Sequence, residues 1–535
     1  MTTAAVALPA ASVAAPPVNK WLVAASVGFG ALMGSIDMSI VNVAMPHIRG
    51  SIGATLEEIT WIATAYIIAS VMLMPLSGFL GALLGQKRIY LASLGIFLVG
   101  SALCGMARSL IALAGFRALQ GFGAGMLQPT QQAILRQTFP PEEQGMAMAL
   151  FGMAIMIGPA LGPTLGGWIT DTYSWPWIFY INLPIGIVGV FMVMRFVHEP
   201  PDLRAAARRR VEAQRGHLDW QGIAFVCVGV ACLQYVLEEG NAKDWLESGA
   251  ICACAAVAVV ALVVFVIREL TATAPAVNLR LFKEPSFLAG TAIGGLQFAM
   301  LTGSMFLLPV FLQEILGYDA TDSGIAMLPR MLAMLLVVPL VGRIYNKVSP
   351  ALVIGVGVVL FSFSCWQMSR ITTEWGTGDM VVPLLVSGVG FGCMFVPLTT
   401  TALSGIPRAQ LIDATGLNSF VRQIGGSVGL SVFVSLLSRF ATHARSGLSA
   451  SVNVLRPQVA AQLSATRAML EGRGYDPALA RALAVKVTGG RVAGQAMVIA
   501  FEKSFLLQGI AFLAILPLLY FLRSRVQKQA VAIVE

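Results

Sequence analysis

Gly158-Pro-Ala-Leu-Gly-Pro-Thr-Leu-Gly-Gly167 lies inside an apolar stretch, residues 146–169, that is long enough to cross a bilayer. Gly158, Gly162 and Gly166 recur every four residues, so on a helix they form one bare stripe on which another backbone can lie closely. Pro159 and Pro163 each remove a ladder donor, which hydrocarbon tolerates only where neighbouring helices or local adjustments satisfy the freed carbonyls. The stretch predicts a bent helix, tightly packed inside a bundle of membrane helices. The competing reading is a bland span rich in glycine, since Gly and Pro are commoner in membrane helices than in soluble ones.

Composition supports the bundle. The 535 residues are 57% hydrophobic and 11% charged, with mean hydropathy +0.79, whereas a soluble domain carries about 25% charged residues. This is the composition of an integral membrane protein. The net charge of +9 does not imply nucleic acid, because the basic residues lie mostly between apolar runs and read as orientation signals. All seven cysteines (Cys104, Cys227, Cys232, Cys252, Cys254, Cys365 and Cys393) fall in apolar segments, so neither a disulfide framework nor a metal cluster is expected. The Ala/Pro-rich start reads as a disordered tail over residues 1–20, not a signal peptide.

Apolar runs of spanning length begin near Trp21, Ile59, Ile89, Leu110, Met146, Ile178, Gln221, Gly249, Ser286, Ile325, Ala351, Met380, Thr415 and Phe501, which predicts fourteen transmembrane helices. One set of loops is basic: Lys87 and Arg88; Arg204, Arg208, Arg209, Arg210 and Arg215; Arg280 and Lys283; Arg343 and Lys347; Arg408. The alternate set is poor in basic residues and often acidic, as at Glu57, Glu58, Asp244, Glu247, Asp319 and Glu374. The basic set is therefore assigned to the cytoplasm, with both termini inside and the tail 523–535 among it.

Pro75-Leu-Ser-Gly78 followed by Lys87 echoes Pro339-Leu-Val-Gly342 followed by Lys347, at an offset of 264 residues. Parallel repeats of six-helix halves are one transporter plan. The expected all-α integral membrane architecture is a six-helix bundle over 21–198, a basic loop over 199–218 and two inserted helices over 219–268. A linker over 269–285 leads to a second six-helix bundle over 286–522, which carries an outer loop at 441–500. Within that loop Asp476-Pro477 opens a short amphipathic helix, with Asp as N-cap and Pro in the first turn. A loop of such length suits a dock for a partner outside the membrane, or inert solvated chain.

Asp37 sits well inside the first span, where an ionised and unpaired carboxylate costs several kcal/mol. Burial favours the neutral acid and a neighbouring cation favours the carboxylate. A group held between the two can take up and release a proton, although a fixed structural ion pair is the plainer alternative. Arg117 in the fourth span is the candidate cation. At 100° per residue, Gln120, Gln128 and Gln131 fall within about 60° of Arg117, so this face is expected to line a cavity, with Met33 beside it, or else to join helices. Arg422, about two turns into the thirteenth span, reads as a side chain snorkelling to the cytoplasmic surface. Arg330 and Glu314, near the outer ends of their helices, read as interfacial. Neither a phosphate-binding loop, nor paired Cys/His metal spacing, nor a nucleophile elbow is present. No enzyme and no ATP-driven pump is indicated, leaving an ion gradient or the solute's own gradient as the energy source.

The block Asp37-Met-Ser-Ile-Val-Asn-Val-Ala-Met-Pro46, Arg117-Ala-Leu-Gln-Gly121, the 158–167 motif and Trp177-Ile-Phe-Tyr-Ile-Asn-Leu-Pro-Ile-Gly186 run in order along the first half. Leu312-Gln-Glu-Ile-Leu-Gly-Tyr318 and Pro397-Leu-Thr-Thr-Thr-Ala-Leu-Ser-Gly-Ile-Pro407 follow in the second. The set closely resembles the fourteen-helix drug:proton antiporter branch of the major facilitator superfamily, EmrB/QacA type, nearest EmrB, over residues 21–525.

The resemblance implies an inner-membrane multidrug exporter working by alternating access. It would exchange amphipathic toxic compounds for protons, with no cofactor beyond the proton gradient. Asp37 and Arg117 would couple protons. Gly158, Pro159, Gly162, Pro163, Gly166 and Gly167 would form the antiporter motif, and Gly78, Gly85, Lys87 and Gly342 the loop motif. A periplasmic adaptor (a membrane fusion protein) and an outer-membrane channel would complete a tripartite pump conferring antibiotic resistance. An exporter of one endogenous metabolite or siderophore-like compound is the alternative function. One departure stands out: the loop motif usually has an aspartate four residues after its first glycine, and here Ala82 and Asn346 take that place. The charge lock between halves that this aspartate serves in the family is therefore not expected.

Overall fold

The computed structural model describes residues 19–199, 219–272, 275–452, 456–520 and 522. The basic loop 200–218, residues 1–18 of the expected tail and the C-terminal 523–535 lie outside this set. Among the described residues twelve helices are long and apolar enough to span a bilayer, and two bent pairs, with breaks of 61° and 41°, bring the number to fourteen.

The first half is built from α1 (Lys20–Ile52), α2 (Leu56–Ile59), α3 (Trp61–Leu73), α4 (Ser77–Leu84), α5 (Gln86–Met106), α6 (Leu110–Thr138), α7 (Gln144–Thr172), α8 (Trp177–Tyr180) and α9 (Asn182–Phe196). Local chemistry sets their ends. Asn19 caps α1 by accepting from the Trp21 amide, and Gly53 closes it in the left-handed region at φ 73°. Thr55 and Glu58 form a capping box on α2. Span two breaks between α3 and α4 beside Pro75, whose missing amide and fixed φ leave the ladder incomplete.

Two further helices, α10 (Trp220–Glu239) and α11 (Gly249–Thr271), pack on each other, and α10 lies against helices of both halves. The second half holds α12 (Pro285–Val310), α13 (Ala320–Ile344), α14 (Pro350–Met368), α15 (Thr377–Ala402), α16 (Leu411–Ser451), α17 (Pro457–Gly472) and α18 (Pro477–Leu513). Trp61 of α3 stacks on Tyr235 of α10 at 5.8 Å, and Gln234 Nε2 of α10 donates to Ser427 Oγ of α16 at 2.7 Å.

The expected outer loop over 441–500 is instead almost wholly helical. The 41 residues of α16 measure about 60 Å at 1.5 Å per residue, twice the hydrocarbon thickness, so α16 runs on beyond the bilayer. Helix α18, 37 residues long, does the same, starting from the Asp476 cap as expected but never ending as a short helix. Leu463 and Leu470 of α17 close the extension by packing on Ala480 and Ala484. A hydropathy reading sees only the apolar part of such a helix, which is why the polar part reads as loop.

The two halves repeat one another in contact detail. Gly121 of α6 lies against the Tyr66 carbonyl, and Gly388 of α15 lies against the Arg330 carbonyl. Gly123 abuts the Phe97 amide, and Gly390 abuts the Phe361 amide. Tyr66 and Arg330, like Phe97 and Phe361, stand at the same 264-residue offset as Pro75 and Pro339.

The motif glycines pack as their spacing predicts. A Cβ at Gly158 or Gly162 would overlap Ser35 or Ser39 of α1, and one at Gly166 would come within 3.2 Å of the Ile40 carbonyl. Gly167 faces open space. Helix α7 contains Pro159 and Pro163, with the bend of 41° between its two parts; the side chain of Pro163 is outside the described set. The stripe recurs in the second half, where Gly425 and Gly429 of α16 press on Gly295 and Ala299 of α12.

At the end of the bundle bearing the loop motifs the halves touch. Gly78 lies against Asp413 of α16, and Gly342 against Gly145 and Ala149 of α7. Asn346 Nδ2 donates to the Glu142 carbonyl, and Arg136 Nη1 donates to the Thr400 carbonyl at 2.9 Å. Asn346, at the position where the family usually has aspartate, thus makes a neutral bond across the halves. Gly85 takes φ 86°, the amide of its neighbour Gln86 donates to Glu199 Oε1 at 2.8 Å, and Lys87 Nζ donates to the Met194 carbonyl at 2.8 Å.

Candidate functional site

Several helices converge on one carboxylate. Asp37 of α1 is 1% exposed, and its oxygens accept from three side chains: Arg117 Nη1 at 2.7 Å, Gln120 Nε2 at 2.8 Å and Asn182 Nδ2 at 2.9 Å. Arg117, also 1% exposed, donates in addition to Gln120 Oε1 at 2.6 Å and through Nε to the Ile62 carbonyl at 3.2 Å. Its guanidinium lies 4.2 Å from the Tyr66 ring centroid, so an aromatic face supports the plane while its edge is hydrogen-bonded. Asn182 donates to Ser101 Oγ at 3.1 Å, and Ser101 to the Phe179 carbonyl at 2.8 Å.

Such depth is tolerable only because the charges are matched. An isolated buried ion costs several kcal/mol, whereas this pair has both its Coulomb partner and amide bonds to its remaining lone pairs. The helices come close enough for these short bonds because Gly121 and Gly123 let α6 settle on α3 and α5, and the Gly158 stripe lets α7 settle on α1. The same packing ties the proton state of Asp37 to the helices around it. Protonation would leave Arg117 charged without its counter-ion and alter how α1 is held to α6 and α9.

The polar stripe on α6 divides. Arg117 and Gln120 join the Asp37 network, where both ends of the Gln120 amide are hydrogen-bonded. Gln128, beyond them and next to Pro129, faces a narrow cleft between the halves. Gln131 is wholly buried, its amide atoms unpartnered among the described residues, and it does not line the cleft. Met33 is fully buried in the first-half core.

Two arginines depart from expectation. Arg422 is 6% exposed and lines the cleft between Phe298 and Phe395, so it does not snorkel. Arg330 is 2% exposed inside α13, so it is not interfacial. Asn182 is a site residue that the sequence reading does not single out, though an amide among apolar neighbours at the start of α9 is a readable signal.

The Major Facilitator Superfamily profile matches residues 27–430. The multidrug export protein EmrB of Haemophilus influenzae is 34% identical over 502 residues, covering 94% of this chain and 95% of that one. EmrB of Escherichia coli is 32% identical over 498 residues, covering 93% and 94%. Among solved structures, the proton:xylose symporter XylE aligns with TM-score 0.57 at 13% identity over 79% of this chain and 90% of its own, a likeness of fold alone.

Proposed function

The chain belongs to the major facilitator superfamily, and from that premise we propose that it is a multidrug efflux transporter that exchanges amphipathic small molecules for protons by alternating access. It is a transport protein, not an enzyme. The observation that carries proton coupling is the Asp37 carboxylate, enclosed by Arg117, Gln120 and Asn182 in the half-bundle next to the cleft.

Coupling follows from packing. Asp37 lies on α1, α1 is pressed against the glycine stripe of α7, and α7 in turn packs on α13 of the other half. A proton arriving on Asp37 weakens the hold of Arg117 and Gln120 on α1, and the shift passes through α7 to the interface between halves. Because the halves touch at the loop-motif end, the conformation seen is the one closed there. With the basic loops and both termini in the cytoplasm of a bacterial inner membrane, that state faces outward. Release of the solute and uptake of a proton from outside belong to it.

The two extended helices, α16 and α18, supply a structured arm outside the bilayer. In this reading the arm docks a periplasmic adaptor leading to an outer-membrane channel. The EmrB relatives, named as multidrug export proteins, favour broad export over a single endogenous solute. The test is transport by proteoliposomes under an imposed pH gradient. Gradient-driven movement of several unrelated amphipathic compounds is expected; movement indifferent to the gradient would refute proton coupling, and movement of one compound only would favour the single-metabolite alternative.

A further inference from the structure

The cleft between the halves contains a cation for which the exporter reading has no use. Arg422 makes no ion pair and no hydrogen bond with any described residue, yet it is 6% exposed. The Phe298 and Phe395 centroids lie 4.6 and 5.0 Å from its guanidinium carbon. Rings on the guanidinium face hold its plane and leave the N–H donors along its edge unused.

The position is built by the second-half glycine stripe. Gly425 and Gly429 bring α16 onto α12, and Gly294 leaves room for the Arg422 stem, whose Cγ lies 3.5 Å from where a Cβ would stand. Two more buried groups in the same cleft lack partners among the described residues, Gln132 Oε1 and Ser419 Oγ. Gln128 and Gln423 add further amide capacity, and among the described residues no acidic side chain lines the cleft. Asp37 cannot serve, since its three donors already hold its charge in the first half.

A buried guanidinium without a counter-ion is costly, and an anion entering the cleft would offset that cost with charge-assisted bonds. A quaternary ammonium would instead meet a like charge. We propose that the cleft selects amphipathic organic carboxylates: Arg422 binds the carboxylate along its free edge, the Ser419 hydroxyl donates to it, Gln132 Oε1 accepts from an N–H or O–H beside it, and the phenylalanine rings cover its apolar body. This rests on the cleft being the substrate path of the proposed exporter.

The test is binding to the purified full-length protein, read by fluorescence, of three probes sharing one body: dansylglycine, its neutral amide, and a dansyl trimethylammonium. The carboxylate is expected to bind at least about tenfold tighter than the amide, with the cation weakest. Arg422→Gln should bring the carboxylate down to the level of the amide. Arg422→Lys should restore only part of the difference, because an ammonium lacks the planar fork. Should Arg422→Gln fail to fold, competition on the unaltered protein replaces it: octanoate should displace dansylglycine and octylamine should not, and displacement by octylamine alone would count against the carboxylate.

Equal or tighter binding of the amide or the cation overturns the proposal, as does a carboxylate preference that survives Arg422→Gln. Carboxylate-selective binding by a protein that transports nothing would sink the exporter reading and leave this one standing. Gradient-driven transport that prefers cations would do the reverse.

Discussion

Tyr66 and Arg330 hold matching places in the two halves, each offering its carbonyl to a glycine of the facing helix, but their surroundings have diverged. In the first half the tyrosine ring supports Arg117, and Arg117 is paired with Asp37. In the second half the cation stands at the tyrosine position itself. Arg330 has Nε and Nη1 unpartnered among the described residues, and α12, the counterpart of α1, contains no acidic residue. Cys365 donates to Gln508 Oε1 at 3.6 Å, and Gln508 Nε2 donates to the Met300 carbonyl at 2.8 Å, where the first half has Ser101, Asn182 and the carboxylate. One repeated arrangement holds a titratable centre on one side and lacks it on the other. In the proposed cycle, proton chemistry therefore belongs to a single half, and motion of the other half is driven through the interface.

The largest effect should come from breaking the intact side. Arg117→Met leaves Asp37 buried without its counter-ion, at a cost of about 3–5 kcal/mol, seen as a fall in thermal stability of the purified protein. If it melts like the unaltered protein, the pair is not a working ion pair. Next comes the stripe that seats α1 on α7. Gly158→Ala forces a Cβ onto the Ser35 backbone and should cost about 1–3 kcal/mol, while Gly167→Ala, with open space, should be silent in the same melt. Equal effects at both positions would mean that close packing is not what the glycines provide.

Asn182→Ala removes one of the three donors to Asp37 and should cost about 1 kcal/mol in the same melt. An unchanged melt would contradict the network. Smallest of all, Arg330→Met should be neutral or stabilising by about 1 kcal/mol, since it removes a buried charge that has no acceptor among the described residues. Marked destabilisation there would show that the second half retains a hidden partner for Arg330.

The contrast between halves also explains what can be read from the sequence. Asp37, Arg117 and Gln120 are legible because a charge deep in an apolar run needs a partner, and helical spacing sets Gln120 one turn from Arg117. The glycine stripe is legible from its period of four. Arg422 is not, because its depth is counted from an apolar start near Thr415, whereas α16 begins at Leu411 and places Arg422 three turns in. Arg330 is misplaced for the same reason: the apolar run starts near Ile325, but α13 starts at Ala320, ten residues before the arginine. Gln131 and Met33 share the face or neighbourhood of Arg117 and Asp37, yet both are wholly buried, Met33 in the first-half core, which periodicity alone cannot reveal.

Proton release from everted vesicles on addition of a transported compound, compared between the unaltered protein and Asp37→Asn at matched expression, tests the single-centre account most directly. Asparagine keeps the shape and can still bond Arg117 but cannot take up a proton. Release from the unaltered protein and none from Asp37→Asn is the expected result. Undiminished release from Asp37→Asn would place the proton elsewhere and contradict the assignment of coupling to the first half.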